Sequence, residues 1–315
     1  MNPASTHIFG PVPSRRLGLS LGIDLVPFKT CTLDCIYCEL GKTATPVTKR
    51  AEYVPYIQLE KEIKAYFAKD RAKQNLDYIT LSGSGEPTLN MALPQVIKLL
   101  RNLSKTPIAL LTNGTLFNDP EVRREAALVD VILPSLDVIS KDLFVRLNRP
   151  APGLEVKEII AGLIKLRHEF QGEIWLEILL CRGINDSPQE INLLVDAAAG
   201  IKPDKIQLNT VVRPGVLTEA VAVEQAFLKK ILPQFGNQAE IIAPFARDSD
   251  YGSTIDKTEE TILATLKRRP CTKSDLEQAL GLKAVEVIKI LDLMLEKGKI
   301  KALDHSGERY FQTTD

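Results

Sequence analysis

The chain has 315 residues, 44% of them hydrophobic and 25% charged, with 40 Lys plus Arg balancing 40 Asp plus Glu. That is ordinary globular composition, long enough for two domains and for a full core without disulfides. Zero net charge excludes a protein whose main business is coating nucleic acid or an anionic membrane, though it allows a local basic patch.

The N-terminal run MNPASTHIFGPVPSRR lacks the apolar core of a secretory signal. No apolar stretch approaches the length of a membrane span. A cytoplasmic protein is therefore expected. Short apolar runs predict strands at 21–26, 78–81, 108–111, 129–133, 174–180 and 206–211, with one more at 239–243. Amphipathic stretches between them predict helices at 57–68, 93–103, 156–168 and 188–198. Strand and helix alternate, which indicates an α/β fold with a parallel sheet. Six or so such units fit a partial (βα)6-type TIM barrel over residues 1–245. The polar, turn-rich segment 246–256 reads as a linker. Residues 257–315 then show three helical patterns, near 257–267, 273–280 and 284–297, and two β-like runs, 299–303 and 309–312, joined by the turn 304–307. Helix, helix, helix, hairpin is the order of a winged-helix domain. Ser274 and Glu277 suggest a capping box for its second helix, with Gly281 and Gly298 as helix stops.

Five cysteines occur, and three fall within eight residues as Cys31-x3-Cys35-x2-Cys38. In a reducing cytosol such a cluster reads as metal binding or redox chemistry. A cubane iron–sulfur cluster ordinarily takes four thiolates. The motif offers three, and Cys181 and Cys271 lie far along the chain, so one iron would keep an open position, as reactive metal sites do. The competing reading is a zinc site completed by a distant ligand. The chain has only three histidines, of which only His7 lies near the motif.

Cys-x3-Cys-x2-Cys with an aromatic, Tyr37, before the last cysteine resembles the hallmark of the radical S-adenosylmethionine (SAM) superfamily. The longer string from Gly10 to Gly41 is similar to the wybutosine-synthesis-related iron–sulfur oxidoreductases. The resemblance implies that Cys31, Cys35 and Cys38 bind a [4Fe-4S] cluster whose unique iron chelates SAM. Reductive cleavage would then give a 5′-deoxyadenosyl radical that takes hydrogen from substrate, with the cofactor supplying the hard chemistry. A one-electron donor such as flavodoxin or ferredoxin is implied as partner.

A barrel enzyme carries its polar residues just after the strands. After the second predicted strand, Gly83, Ser84, Gly85 and Glu86 resemble the superfamily's Gly-Gly-Glu segment, which lines the methionine amino group. Asn113 follows the third strand. Ser135 and Asp137 follow the fourth and, by strand alternation, face the same side, which suits the ribose or the methionine carboxylate; a helix cap is the alternative for Asp137. Arg146 and Arg149 suit a carboxylate or phosphate. Arg182, Asn185, Asp186, Asn209 and Arg213 are further candidates for adenosine or substrate, and Arg15 and Arg16 recur in the N-terminal signature. Cys181 reads as a small buried hydrophobe and Trp175 as core.

Residues 255–315 hold 11 Lys plus Arg and 11 Asp plus Glu. A neutral module is a poor match for nucleic acid, so a structural or substrate-docking role is preferred, although Lys297, Lys299, Lys301 and Arg309 keep RNA in play. The substrate is read as a tRNA base, a peptide or protein side chain, or a glycyl-radical enzyme to be activated. The competing function is an iron–sulfur redox sensor that uses the winged helix to bind nucleic acid.

Overall fold

The computed structural model describes residues 7–68, 76–213, 215, 217–242, 259–280, 282, 284–305 and 307–314. The linker expected at 246–256 and the stop at Gly281 lie outside them. Eight strands form one sheet in chain order: β1 (Ile8–Ser14), β2 (Gly18–Ile23), β3 (Tyr78–Leu81), β4 (Ile108–Thr112), β5 (Val131–Pro134), β6 (Glu173–Leu180), β7 (Lys205–Thr210) and β8 (Ala239–Ile241). β1 runs antiparallel to β2, and every later pairing is parallel. β1 and β8 do not pair with each other, so the barrel is partial.

Between the strands lie α1 (Tyr56–Phe67), α2 (Leu93–Leu103), α3 (Pro120–Ala126), α4 (Lys141–Leu143), α5 (Val156–Glu169), α6 (Pro188–Ile201) and α7 (Gln225–Ile231). α2 shows why the pattern folds this way. Leu93, Val96, Ile97 and Leu100 recur at helical spacing and are all buried, the apolar stripe that a sheet-packing helix needs. Leu59 and Ile63 do the same for α1.

β1 was not foreseen, because Gly10-Pro11-Val12-Pro13 reads as a breaker. Proline is tolerated at a sheet edge, and β1 is an edge strand whose register slips between Phe9 and Val12. The turn from β1 to β2 drives Leu17 among Ala109, Val131, Leu133 and Trp175. Trp175 is therefore core, as expected.

Beyond the barrel lie α8 (Glu259–Leu266), β9 (Cys271–Thr272), α9 (Lys273–Leu280), α10 (Ala284–Glu296), β10 (Ile300–His305) and β11 (Glu308–Thr313), with strand order β10-β11-β9. They share a separate core that includes Ile262, Leu276, Leu291 and Phe311. The capping box falls two residues earlier than expected. Thr272 Oγ1 accepts from Asp275 N at 3.1 Å and Asp275 Oδ2 accepts from Thr272 N at 3.0 Å, because pairing with β11 carries the chain as strand through Thr272. Gly298 ends α10 in the left-handed region, φ +63°.

These elements pack on the barrel. α8 and α9 lie against β1. Tyr310 donates to the carbonyl of Val212, just after β7, at 2.9 Å. Arg268 Nη2 meets Asp24 Oδ2 at 2.6 Å, and the Arg268 guanidinium lies over the Phe9 ring, 4.3 Å from its centroid. Asp24 is 3% exposed. Arg268→Ala therefore strands a buried carboxylate and is expected to cost about 3–5 kcal/mol. Adding Asp24→Asn should recover a large part, which a double-mutant cycle by urea unfolding checks.

Candidate active site

The loop after β2 carries all three cysteines of the motif and is pinned by its neighbours' backbones. Thr30 bridges Gly85, and Leu33 bridges Pro150. Glu86 N donates to Thr30 O at 2.9 Å, and Ile36 N to Leu147 O at 3.0 Å. Two glycines permit this approach. A Cβ on Gly85 would sit 2.0 Å from Thr30 O. Gly83 has φ +131°, and its Cβ would lie 1.9 Å from Asp24 Oδ1.

Each thiol has a side-chain amine or amide donor beside it. Lys29 Nζ lies 3.3 Å from Cys38 Sγ, Asn113 Nδ2 3.5 Å from Cys31 Sγ, and Asn148 Nδ2 3.4 Å from Cys35 Sγ. Burial pushes the Cys31 thiol up to about 12 and the Cys35 thiol well above its ordinary value. Without a metal these groups stay protonated, and metal loading would release their protons. Among the described residues no three His, Cys, Asp or Glu side chains are placed to hold a single metal ion. Three cysteines on one loop, each sulfur with its own N–H donor, are a donor set that fits an iron–sulfur cluster.

The strand-end residues divide between cavity and scaffold. Gly83, Gly85, Glu86, Asn113, Ser135 and Tyr37 line one cavity of about 410 Å³ together with Cys31 and Cys38, within the range of ligand sites. Glu86 is a brace within its wall. Its buried carboxylate accepts from Thr88 N, Thr88 Oγ1, Thr112 Oγ1 and Asn113 N at 2.6–3.1 Å. Burial raises its pKa, and these bonds oppose the rise. Asn113 is thereby held to reach Cys31 and, at 2.7 Å, Thr32 Oγ1.

Three of the expected contacts stand apart from this cavity. Ser84 turns away from the cavity, because its hydroxyl and N–H both bond Asp24, at 2.9 and 2.5 Å. Asp137 lies off the main cavity and is spent on the protein. It accepts from Tyr37 Oη, from Asn148 Nδ2 at 3.0 Å and from Leu179 N at 3.0 Å. Burial pushes its carboxyl up to about 6, with those bonds pulling the other way. Arg146 is exposed, since the π-helical turn Phe144–Asn148 presents it outward while burying Leu147 and Asn148. Arg149 lies 3.6 Å from Asp34, within the cysteine loop. Asn185 staples backbone around Cys181. Cys181 is fully buried.

Sequence reasoning missed Lys29, Asn148 and Glu177. Asn148 stood between two arginines that drew attention from it. Glu177 was legible as the one charged residue inside the apolar run of β6. It lines the cavity and pairs with Arg16 Nη1 at 2.7 Å. Arg15 Nη1 donates to Asn209 Oδ1 at 3.3 Å, so both arginines of the N-terminal signature reach the cavity. Arg268 and Arg269, from the C-terminal elements, line it too.

The radical SAM superfamily model matches residues 25–195. The chain is 35% identical, over 94% of its length, to "GTPase Obg" of Brachyspira hyodysenteriae, but spans only 43% of that protein. It is also 35% identical to a UPF0026 protein of Synechocystis, covering 68% of this chain and 78% of that one. A structure of TYW1 with a lysine-pyruvate adduct bound superposes with TM-score 0.52 and 19% identity, covering 73% of this chain and 76% of that chain, a likeness of fold.

Gly85→Ala is expected to destabilise the apoprotein by about 1–3 kcal/mol, through overpacking against Thr30, and to lower iron loading. Gly200→Ala, on α6 with only Ile164 nearby at 3.7 Å, should be neutral or stabilising by up to ~1 kcal/mol. Urea unfolding and iron analysis of both variants check the pair.

Proposed function

We propose that this chain, which belongs to the radical SAM superfamily and to the UPF0026 proteins, is a SAM-cleaving radical enzyme, in keeping with the [4Fe-4S] cluster and SAM that the superfamily uses. In this reading Cys31, Cys35 and Cys38 hold the cluster, and SAM and substrate share the cavity beside it. The observation that carries it is the provision of a side-chain N–H donor to each cysteine sulfur, on a loop whose Cys31 and Cys38 line that cavity. Bound there, the cluster supplies the electron that cleaves SAM.

The chain's own residues position and insulate. Lys29, Asn113 and Asn148 stabilise negative charge on the three sulfurs, which favours the reduced cluster. The Gly83–Glu86 backbone forms a close wall for the methionine end of SAM. Glu86 fixes Asn113, and Asp137 fixes Tyr37, so neither needs to reorganise when the site is filled. Ser135, Glu177 and Asn209 provide polar contacts to adenosine or substrate. Helices α8 to α10 and strands β9 to β11, read as a winged helix, cover the side of the open barrel rather than read nucleic acid. Electrons come from outside the chain, from a flavodoxin or ferredoxin. No described helix is long and apolar enough to cross a membrane.

Anaerobic reconstitution tests this. The wild type should hold about four iron and four sulfide per chain, change its reduced EPR spectrum on adding SAM, and release 5′-deoxyadenosine with dithionite. Alanine at any of the three cysteines should abolish all of these. An intact cubane that yields no 5′-deoxyadenosine would support the redox sensor instead, and zinc in the site would end both readings.

A further inference from the structure

The part of the cavity wall built by the β1–β2 turn and the segment after β7 carries charge for which the SAM chemistry above has no role. Five arginines line the cavity against three glutamates. Glu86 is consumed by its four donors and Glu177 pairs with Arg16. Arg15 forms no ion pair among the described residues, and its guanidinium meets only the neutral Asn209. Burial and the nearby Arg213 lower its pKa, with Glu39 and Glu177 pulling the other way. Arg213 is itself 8% exposed. Its ion pairs are long, 3.4 Å to Glu39 and 3.8 Å to Asp275, and its Nε is buried with no hydrogen-bond partner. Two neighbouring guanidiniums, Arg15 half-buried without an ion pair among the described residues and Arg213 buried with an orphaned donor, form an arrangement that a bound anion relieves.

The two arginines come from other elements than the cysteines, although Arg213 reaches Glu39, beside Cys38. Arg15 comes from the β1–β2 turn and Arg213 from the segment after β7, whereas the cysteine loop, Gly83–Glu86 and Asn113 follow β2, β3 and β4. We propose that Arg15 and Arg213 grip an anionic group of the substrate, a carboxylate or a phosphate, and so orient it toward SAM. Guanidinium forks suit both anions through paired hydrogen bonds. The inference rests on the cavity being the SAM–substrate chamber.

Calorimetric titration of the reconstituted, SAM-saturated holoenzyme tests it with three probes: inorganic pyrophosphate, malonate and neutral malonamide. One of the two anions should bind saturably, and malonamide should not; which anion binds identifies the group. Arg15→Gln should weaken that binding roughly tenfold or more while leaving SAM affinity unchanged, and Arg15→Lys should restore part of it. Failure of both anions to bind, unaltered binding to the Arg15→Gln protein, or competition between anion and SAM for one site would overturn the proposal. Anion binding that persists in an enzyme yielding no 5′-deoxyadenosine would instead overturn the SAM chemistry and leave the anion site standing.

Discussion

One backbone carbonyl organises the site. Thr30 O accepts from Glu86 N at 2.9 Å while occupying the space where any side chain on residue 85 would stand. That contact joins the cysteine loop to the end of β3. From it a chain of bonds runs outward: the Glu86 carboxylate holds Asn113 N, and the Asn113 amide reaches Cys31. The cysteines are thus positioned by main-chain contacts and buried polar groups rather than by their own loop alone. Such a network is rigid because each buried polar atom in it would be expensive to leave unpaired.

The second organising feature is an open sheet that another part of the chain covers. β1 and β8 leave the barrel unclosed, which leaves edge strands to protect. The C-terminal helices pack on β1, and Tyr310 reaches the segment after β7. The Asp24–Arg268 pair couples this cover to the site, because the same carboxylate holds Ser84 in the β3 loop. Cover, loop and cavity wall therefore share one buried charge pair.

Much of the fold was legible because burial imposes periodicity. The β3 run and the α2 and α9 patterns fall on their observed bounds, since each segment has one apolar requirement and no rival. β1 escaped notice because its prolines are tolerated only by virtue of its place at the sheet edge. α3 and α7 are short, seven residues each, too brief for a helical stripe to stand out. In the site, Asp137 and Ser84 were visible as polar residues after strands, but spacing cannot tell a ligand contact from a brace. Asp137 became a brace because Tyr37, Asn148 and Leu179 N converge on it from three separate segments.

By itself the sequence determined the alternating α/β architecture, the cysteine motif and the polar strand ends, because these depend on local spacing and on which side chains carry sulfur or charge. Only the tertiary structure decided which polar residues face the cavity, that Lys29 and Asn148 serve the sulfurs, and that arginines from both ends of the chain meet at one wall. Arg15 and Arg268 are far apart in sequence, and no local pattern encodes their convergence. It follows from strand order and from packing the C-terminal helices against the first strand.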